Sequence, residues 1–149
     1  MFKKTEKTAN FSLRDLTSRY QLDFYNYWHK LRGNRSFPSR ADIKPSDIVK
    51  ILPFITLLEK RHNDFQVRLI GTCSTTIFGE ITGQFLSKIG YEACTLNQLR
   101  RCANMGQASF NVNPVRLFSN RHYNSSALAM PLSDNDREIN MVIVVHDFY

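Results

Sequence analysis

The segment "FITLLEKRHNDFQVRLIG", Phe54 to Gly71, limits the fold more than any other. Phe65, Val67 and Leu69 alternate with Gln66 and Arg68, which is the period of a strand with one buried face. The preceding "FITLLEK" reads as a second strand, and "RHND" as a four-residue turn between them. Strands this close in sequence pair antiparallel, because a parallel partner needs a crossover of a dozen residues or more. The expectation is an antiparallel hairpin with strands over about residues 54–60 and 65–71.

Upstream, "FSLRDL" has the marks of a helix start. Ser12 caps, Asp15 completes a capping box, and Phe11 packs on Leu16 as a staple. Leu13, Leu16, Tyr20, Phe24, Tyr27 and Leu31 then recur at helical spacing, Trp28 widens the stripe, and Gly33 supplies a left-handed end. A helix over 12–32 is expected, with an aromatic face that must be buried within the chain or against a second copy. Asn34 to Lys44 is a polar loop. Pro45 opens a short helix over "SDIVKIL" that stops near Pro53.

Downstream of Gly71, "CSTTIFG" makes one or two helical turns ending at Gly79. "TGQFLSKIG" is a tight connection, and a longer helix runs from Tyr91 to Met105 before Gly106. Strand material follows at about 108–113, 115–120, 123–132 and 139–148. Five principal strands are expected, with two adjacent candidates forming one bent strand. Helices set between two antiparallel strand groups give an α+β domain. The expected core includes Trp28, Leu52, Ile55, Leu57, Val67, Leu69, Phe78, Leu99, Leu128, Met130, Val142 and Val144.

The chain has 149 residues, enough for one domain with a real core. Residues 1–10 are expected to be a polar lead-in rather than a signal peptide, because no apolar run follows the lysines. The longest apolar runs are far short of a membrane span. The three cysteines, Cys73, Cys94 and Cys102, lack metal-ligand or CxxC spacing, which points to reduced thiols and a cytoplasmic setting. The formal charge of +7 is concentrated in residues 1–50, with 11 Lys/Arg against 5 Asp/Glu. That front suits an acidic partner. Nucleic acid is not an expected partner, since no reading helix or stacking platform accompanies the charge.

The order of several short elements carries a resemblance. They are Trp28, Leu31-Arg32-Gly33, Pro38, Arg40, Asp42-Ile43-Lys44-Pro45 and Leu52-Pro53. They continue with Arg68-Leu69-Ile70-Gly71-Thr72, Phe78-Gly79, Thr82-Gly83 and Met130-Pro131-Leu132-Ser133. Over about residues 20–148 this pattern resembles the PAS-like domain family of small bacterial proteins of unknown function, described mostly from alphaproteobacteria. The resemblance implies a PAS-like, five-stranded antiparallel sheet with helices on one face and an added N-terminal helix. It also places Thr72, Cys73, Phe78 and Thr82 on the cavity side, as ligand-binding candidates. Residues 11–149 then form a single domain.

Arg32, Arg35 and Arg40, with Lys44, are candidates for an anion or acidic-partner site, because guanidinium groups carry several directed donors. The structural reading is that Arg40 pairs with Asp42 or Asp47 and fixes the loop. Tyr20, Phe24, Tyr27 and Trp28 are the expected dimer interface, with intramolecular cover as the other reading of that stripe. His29, His62, His122 and His146 show no ligand spacing, so no metal site is expected and no cofactor is named. The glycines match neither phosphate-loop pattern, and no nucleophile, base and orienting group are fixed by a motif. The resulting expectation is a non-catalytic sensory or protein-interaction module, a homodimer that signals through a separate protein and takes a small ligand in its cavity. A small enzyme using the same cavity is the alternative, and a nucleic-acid-associated protein using the basic front is a third.

Overall fold

The computed structural model describes residues 11–89, 93–112 and 124–149. The expected lead-in at 1–10 and the strand at 115–120 lie outside the described residues. The elements are α1 (Arg19–Arg32), β1 (Ile55–Arg61), β2 (Asp64–Ile70), α2 (Thr72–Phe78), α3 (Ala93–Met105), β3 (Ser109–Val112), β4 (Ser125–Leu132) and β5 (Met141–Phe148). The five strands form one sheet in the order β2-β1-β5-β4-β3, and every neighbouring pair is antiparallel. This is the expected α+β architecture.

Side chains directly opposite each other in antiparallel strands share a face. On β4 and β5, Ser126, Leu128 and Met130 with Asp147, Val145 and Ile143 make one face. Ala127, Ala129 and Pro131 with His146, Val144 and Val142 make the other. α1 covers the first face. Its Gln21 donates to Ser126 Oγ at 3.0 Å and to the Val145 carbonyl at 3.1 Å. Trp28 Nε1 donates to the Pro131 carbonyl at 2.8 Å. α2 and α3 cover the second face: Phe78 lies against His146, and the Cys102 thiol donates to the Ala129 carbonyl at 4.0 Å. With both sides covered, every residue of β4 is buried, so this strand reads as a nearly continuous apolar run rather than an alternation.

The first helix differs from the expected 12–32. Ser12 and Asp15 do form their capping box, but it closes only a 3-10 turn over Leu13–Asp15. Leu16 is extended, and the Thr17 hydroxyl lies 2.6 Å from Ser126 Oγ and donates to Asp147 at 2.6 Å. The sheet holds the Thr17 side chain here, and Ser18 caps α1 afresh by accepting from Tyr20 N at 3.0 Å. The expected helix over "SDIVKIL" is likewise replaced by 3-10 turns at Pro45–Asp47 and Leu52–Phe54. Its β-branched Ile48, Val49 and Ile51 are weak helix formers. The irregular path lets Ile48 and Ile51 both reach the core.

Leu69 is the main correction to the expected core. Leu57 pairs with Leu69 but Leu58 with Val67, so β2 carries one extra residue in a bulge. Such an insertion turns the residues beyond it to the other face. Phe65 and Val67 are buried, whereas Leu69 is 38% exposed. Leu52 and Phe78 are part-buried and pack against the core rather than within it.

Gly71 joins β2 to α2 where no side chain fits. A Cβ there would lie 2.1 Å from the Leu52 carbonyl oxygen and 2.6 Å from the Pro53 carbonyl, both backbone atoms. The Gly71 amide donates to the Ile55 carbonyl at 2.7 Å, locking the crossing. Gly71→Ala is expected to cost about 4 kcal/mol or more, as an overpacked backbone crossing. Trp28→Ala is expected to cost about 3–5 kcal/mol through the cavity it leaves. Urea denaturation measures both, and a loss under about 1 kcal/mol for Trp28→Ala would contradict the burial of that ring.

Candidate functional site

The second sheet face carries a small polar group inside apolar surroundings. His146, near the end of β5, is buried, and its Nε2 lies 3.2 Å from the Thr56 hydroxyl of β1. Thr56 pairs with Val144, so Thr56 and His146 project from the same face of the sheet. The imidazole stacks on Phe148 at 5.7 Å with planes 13° apart, and Phe78 of α2 meets it at 5.1 Å. Ser74 is one turn before Phe78 and shares its side of α2. It is fully buried, and its hydroxyl has no partner among the described residues.

Burial pushes the His146 pKa down to about 4, so the ring is neutral near pH 7. A neutral imidazole presents one donor and one acceptor, and each hydroxyl can act as either. The cluster therefore offers uncharged hydrogen-bonding groups beside aromatic rings. It suits a small neutral molecule with one polar end. Cys102, on the same side of the sheet, is a poor nucleophile, because burial pushes its thiol up to about 12. Among the described residues, no group of three or more His, Cys, Asp or Glu side chains is placed to hold a metal ion.

The residues proposed from sequence are distributed unevenly. Of Thr72, Cys73, Phe78 and Thr82, only Phe78 reaches this cluster. Thr72 is exposed, Cys73 half-buried, and Thr82 exposed with its amide and hydroxyl donating to Glu80 at 3.0 and 2.5 Å. Thr56, Phe148 and His146 complete the cluster, with the buried Ser74 one turn from Phe78 on α2, and only the apolar setting of His146 in the last strand points to it.

Arg32, Arg35 and Arg40 have three separate environments. Arg35 pairs with Asp42 at 2.8 Å and donates to the Leu31 and Arg32 carbonyls at 2.7 and 3.3 Å, closing the end of α1. The carboxylate expected to bind Arg40 is thus held by Arg35. Asp47 instead accepts from the Tyr27 hydroxyl at 3.0 Å. Arg40 makes no ion pair among the described residues. Arg32 lies over the Trp28 ring at 5.8 Å, and its buried Nε has no partner among the described residues. Burial and the Arg32 charge together hold His29 below its usual value.

The aromatic stripe divides in the same way. Phe24 and Trp28 are buried in this chain's own core, at 0% and 5% exposure. Tyr20 stacks on Phe54 at 5.1 Å yet stays 36% exposed. Tyr27 lines an open groove with Tyr20, Asp23, Lys30 and the exposed Val49.

A protein-family model described as a PAS domain matches residues 16–103. Among solved structures, a sensory box sensor histidine kinase from Vibrio cholerae is similar at 16% identity, with a TM-score of 0.48. That similarity covers 70% of this chain and 87% of the other. No curated protein matches the sequence.

The buried histidine makes stability depend on pH. Its pKa falls from 6.5 in the unfolded chain to about 4 in the folded one, so the unfolded state takes the proton first as pH drops. The contribution is complete above about pH 6.5 and is lost towards pH 4, by on the order of 3 kcal/mol. Urea denaturation between pH 7 and 4.5 should show a shallower decline for His146→Asn than for the wild type. Equal slopes would mean that His146 does not titrate as a buried neutral ring.

Proposed function

We propose that this chain, which belongs to the PAS domain family, is a non-catalytic sensory or protein-interaction module holding a small neutral ligand against His146. The observation that carries the reading is the buried, neutral His146 imidazole, held by Thr56 and flanked by Phe78 and Phe148, with the Ser74 hydroxyl on the Phe78 side of α2 buried and without a partner among the described residues. A buried polar group without a hydrogen bond costs about 1–3 kcal/mol, which a ligand with a matching donor or acceptor recovers. Phe78 is the expected pocket residue that this reading keeps. Thr56, Ser74 and His146 join it.

The signal passes to a separate protein or through self-association. The outer side of α1 suits the second route. Phe24 and Trp28 anchor the helix from beneath, while Tyr20, Tyr27 and Val49 present apolar surface along the groove. A two-fold axis there lets one patch cover its own copy. Arg32 and Arg40, in no ion pair among the described residues, are the donors assigned to an acidic partner. The setting we propose is cytoplasmic; among the described residues no helix is long and apolar enough to cross a membrane. Motif order supports a place among the small alphaproteobacterial PAS-like proteins.

Native mass spectrometry of freshly purified protein tests the ligand. A mass increment is expected that disappears on denaturation and is lost in His146→Phe, whose fold is checked by circular dichroism. An increment retained in that variant would place the molecule elsewhere, and its absence from wild-type protein would remove the main support for a resident ligand.

Sedimentation tests the assembly. Wild-type protein is expected to be a dimer, and Tyr20→Glu with Val49→Glu a folded monomer. A monomeric wild type at high micromolar concentration refutes the pairing.

A further inference from the structure

The turn between β1 and β2 borders a second cleft that the proposed ligand site does not touch. Its volume is about 680 Å³, within the range of about 300–1,000 Å³ usual for small-molecule sites. Three elements deliver cations to it: Arg61 ends β1, Lys88 ends the 3-10 turn Leu86–Lys88, and Arg100 comes from α3. Phe85 supplies a half-buried ring, and its backbone is bridged to Gln66 on the edge of β2. The neighbouring links from Val67 N to the Gln84 carbonyl, 2.9 Å, and from Gly83 N to the Val67 carbonyl, 2.7 Å, hold that wall in place.

The carboxylates here are already committed. Asp64 accepts from Phe65 N at 2.8 Å, from Ser87 N at 3.2 Å and from the Ser87 hydroxyl. Burial alone would raise its pKa, but these bonds and the Arg100 charge leave it below the usual carboxylate value. Glu59 is shared by Arg61 at 3.3 Å and Arg68 at 3.6 Å. Arg100 is fixed by the Asn63 carbonyl at 2.6 Å and by Asn97 at 3.1 Å, neither of which offsets its charge. Lys88 makes no ion pair among the described residues. Three cations thus border one cleft, with Asp64 in its wall fully used and Glu59 shared between Arg61 and Arg68, beside an aromatic ring.

We propose that this cleft binds an organic phosphate, with the phosphate among Arg61, Lys88 and Arg100 and an attached flat group on Phe85. Guanidinium and ammonium groups give charge-assisted hydrogen bonds to a phosphate dianion. A ring takes the flat part by stacking or edge contact. The cations meet in one concavity rather than along a stripe, which favours a compact anion over an extended acidic chain. His62, in the turn itself with a backbone φ of 58°, completes the rim.

The full chain, labelled with ¹⁵N, is titrated with inorganic phosphate and with phenyl phosphate, against sodium chloride at matched ionic strength. Phosphate-dependent shifts are expected at 61–64, 85–88 and 100, absent with chloride. Phenyl phosphate is expected to bind about threefold or more tighter than inorganic phosphate, the gain of one aromatic contact. Lys88→Ala, an exposed change that leaves the remaining spectrum in place, should weaken both by about tenfold. Phe85→Leu should remove the preference for phenyl phosphate. Scattered shifts, shifts matched by chloride, or unchanged affinity in Lys88→Ala would overturn the site. A short polyglutamate peptide that outcompetes phenyl phosphate would assign the cleft to an acidic protein segment and overturn the organic-phosphate assignment.

Discussion

Gln21 sits fully buried where α1 meets the sheet, and both its NH₂ group and its carbonyl are hydrogen-bonded. Its NH₂ donates to Ser126 Oγ and the Val145 carbonyl, and its carbonyl accepts from the amide of Thr17 at 3.3 Å. A buried amide left half-satisfied would oppose folding, so these three contacts fix one position of the helix on the strands. Seven residues on, two helical turns along the same side, Trp28 Nε1 reaches the Pro131 carbonyl. Phe24 lies between these anchors and is fully enclosed. The docking of α1 thus rests on two polar contacts that set its register and on aromatic rings that supply the buried area.

That docking decides what the other sheet face can be. With α1 covering Leu128, Met130, Ile143 and Val145, the opposite residues must receive α2 and α3 for the central strands to be dry on both sides. Ala127 and Ala129 leave room for α3 to approach closely. α2 has little freedom, since Gly71 at its start is pressed against the Leu52–Pro53 backbone. His146 falls in the gap under this short helix, where it is enclosed without being charged. Burial lowers its pKa, and on the same side of α2 as Phe78 the buried Ser74 hydroxyl has no partner among the described residues.

Much of this was legible in the sequence because it depends on local pattern. The β1–β2 hairpin, α2 with its Gly79 end, α3 before Gly106 and the last strand follow from periodicity and turn residues. Where the reading failed, distant residues overrode a local signal. The Ser12 cap is real, yet Thr17 ends that turn through bonds to Ser126 and Asp147, more than a hundred residues away. Leu69 keeps the alternation in sequence but loses it in the sheet, since a bulge depends on both strands. Gln21 interrupts an apolar stripe and so looks like a solvent-facing position, although Ser126 and Val145 make it a core residue. Arg35 and Arg40 are both near Asp42 in sequence, and only the fold selects Arg35. The site is least legible of all, because Thr56, Ser74 and His146 come from three elements joined by no motif.

β1 connects the two chemistries assigned to this molecule. Thr56, near its start, touches His146, and Arg61, its last residue, borders the cationic cleft. Five residue steps of extended strand separate them, roughly 17 Å. One site is dry, neutral and aromatic; the other is open and positively charged, so each excludes the other's ligand by desolvation or by lack of counter-charge. Any coupling between them has to act on this strand, and a regular ladder transmits little unless some element has two arrangements. The bulge at Leu57/Leu58 is the irregular point between the sites. Shifting that extra residue along the pair would change which face Leu69 occupies, moving an exposed apolar side chain at the sheet edge. β1 thus runs from the neutral cluster at Thr56 to the cationic cleft at Arg61 with the Leu57/Leu58 irregularity between them.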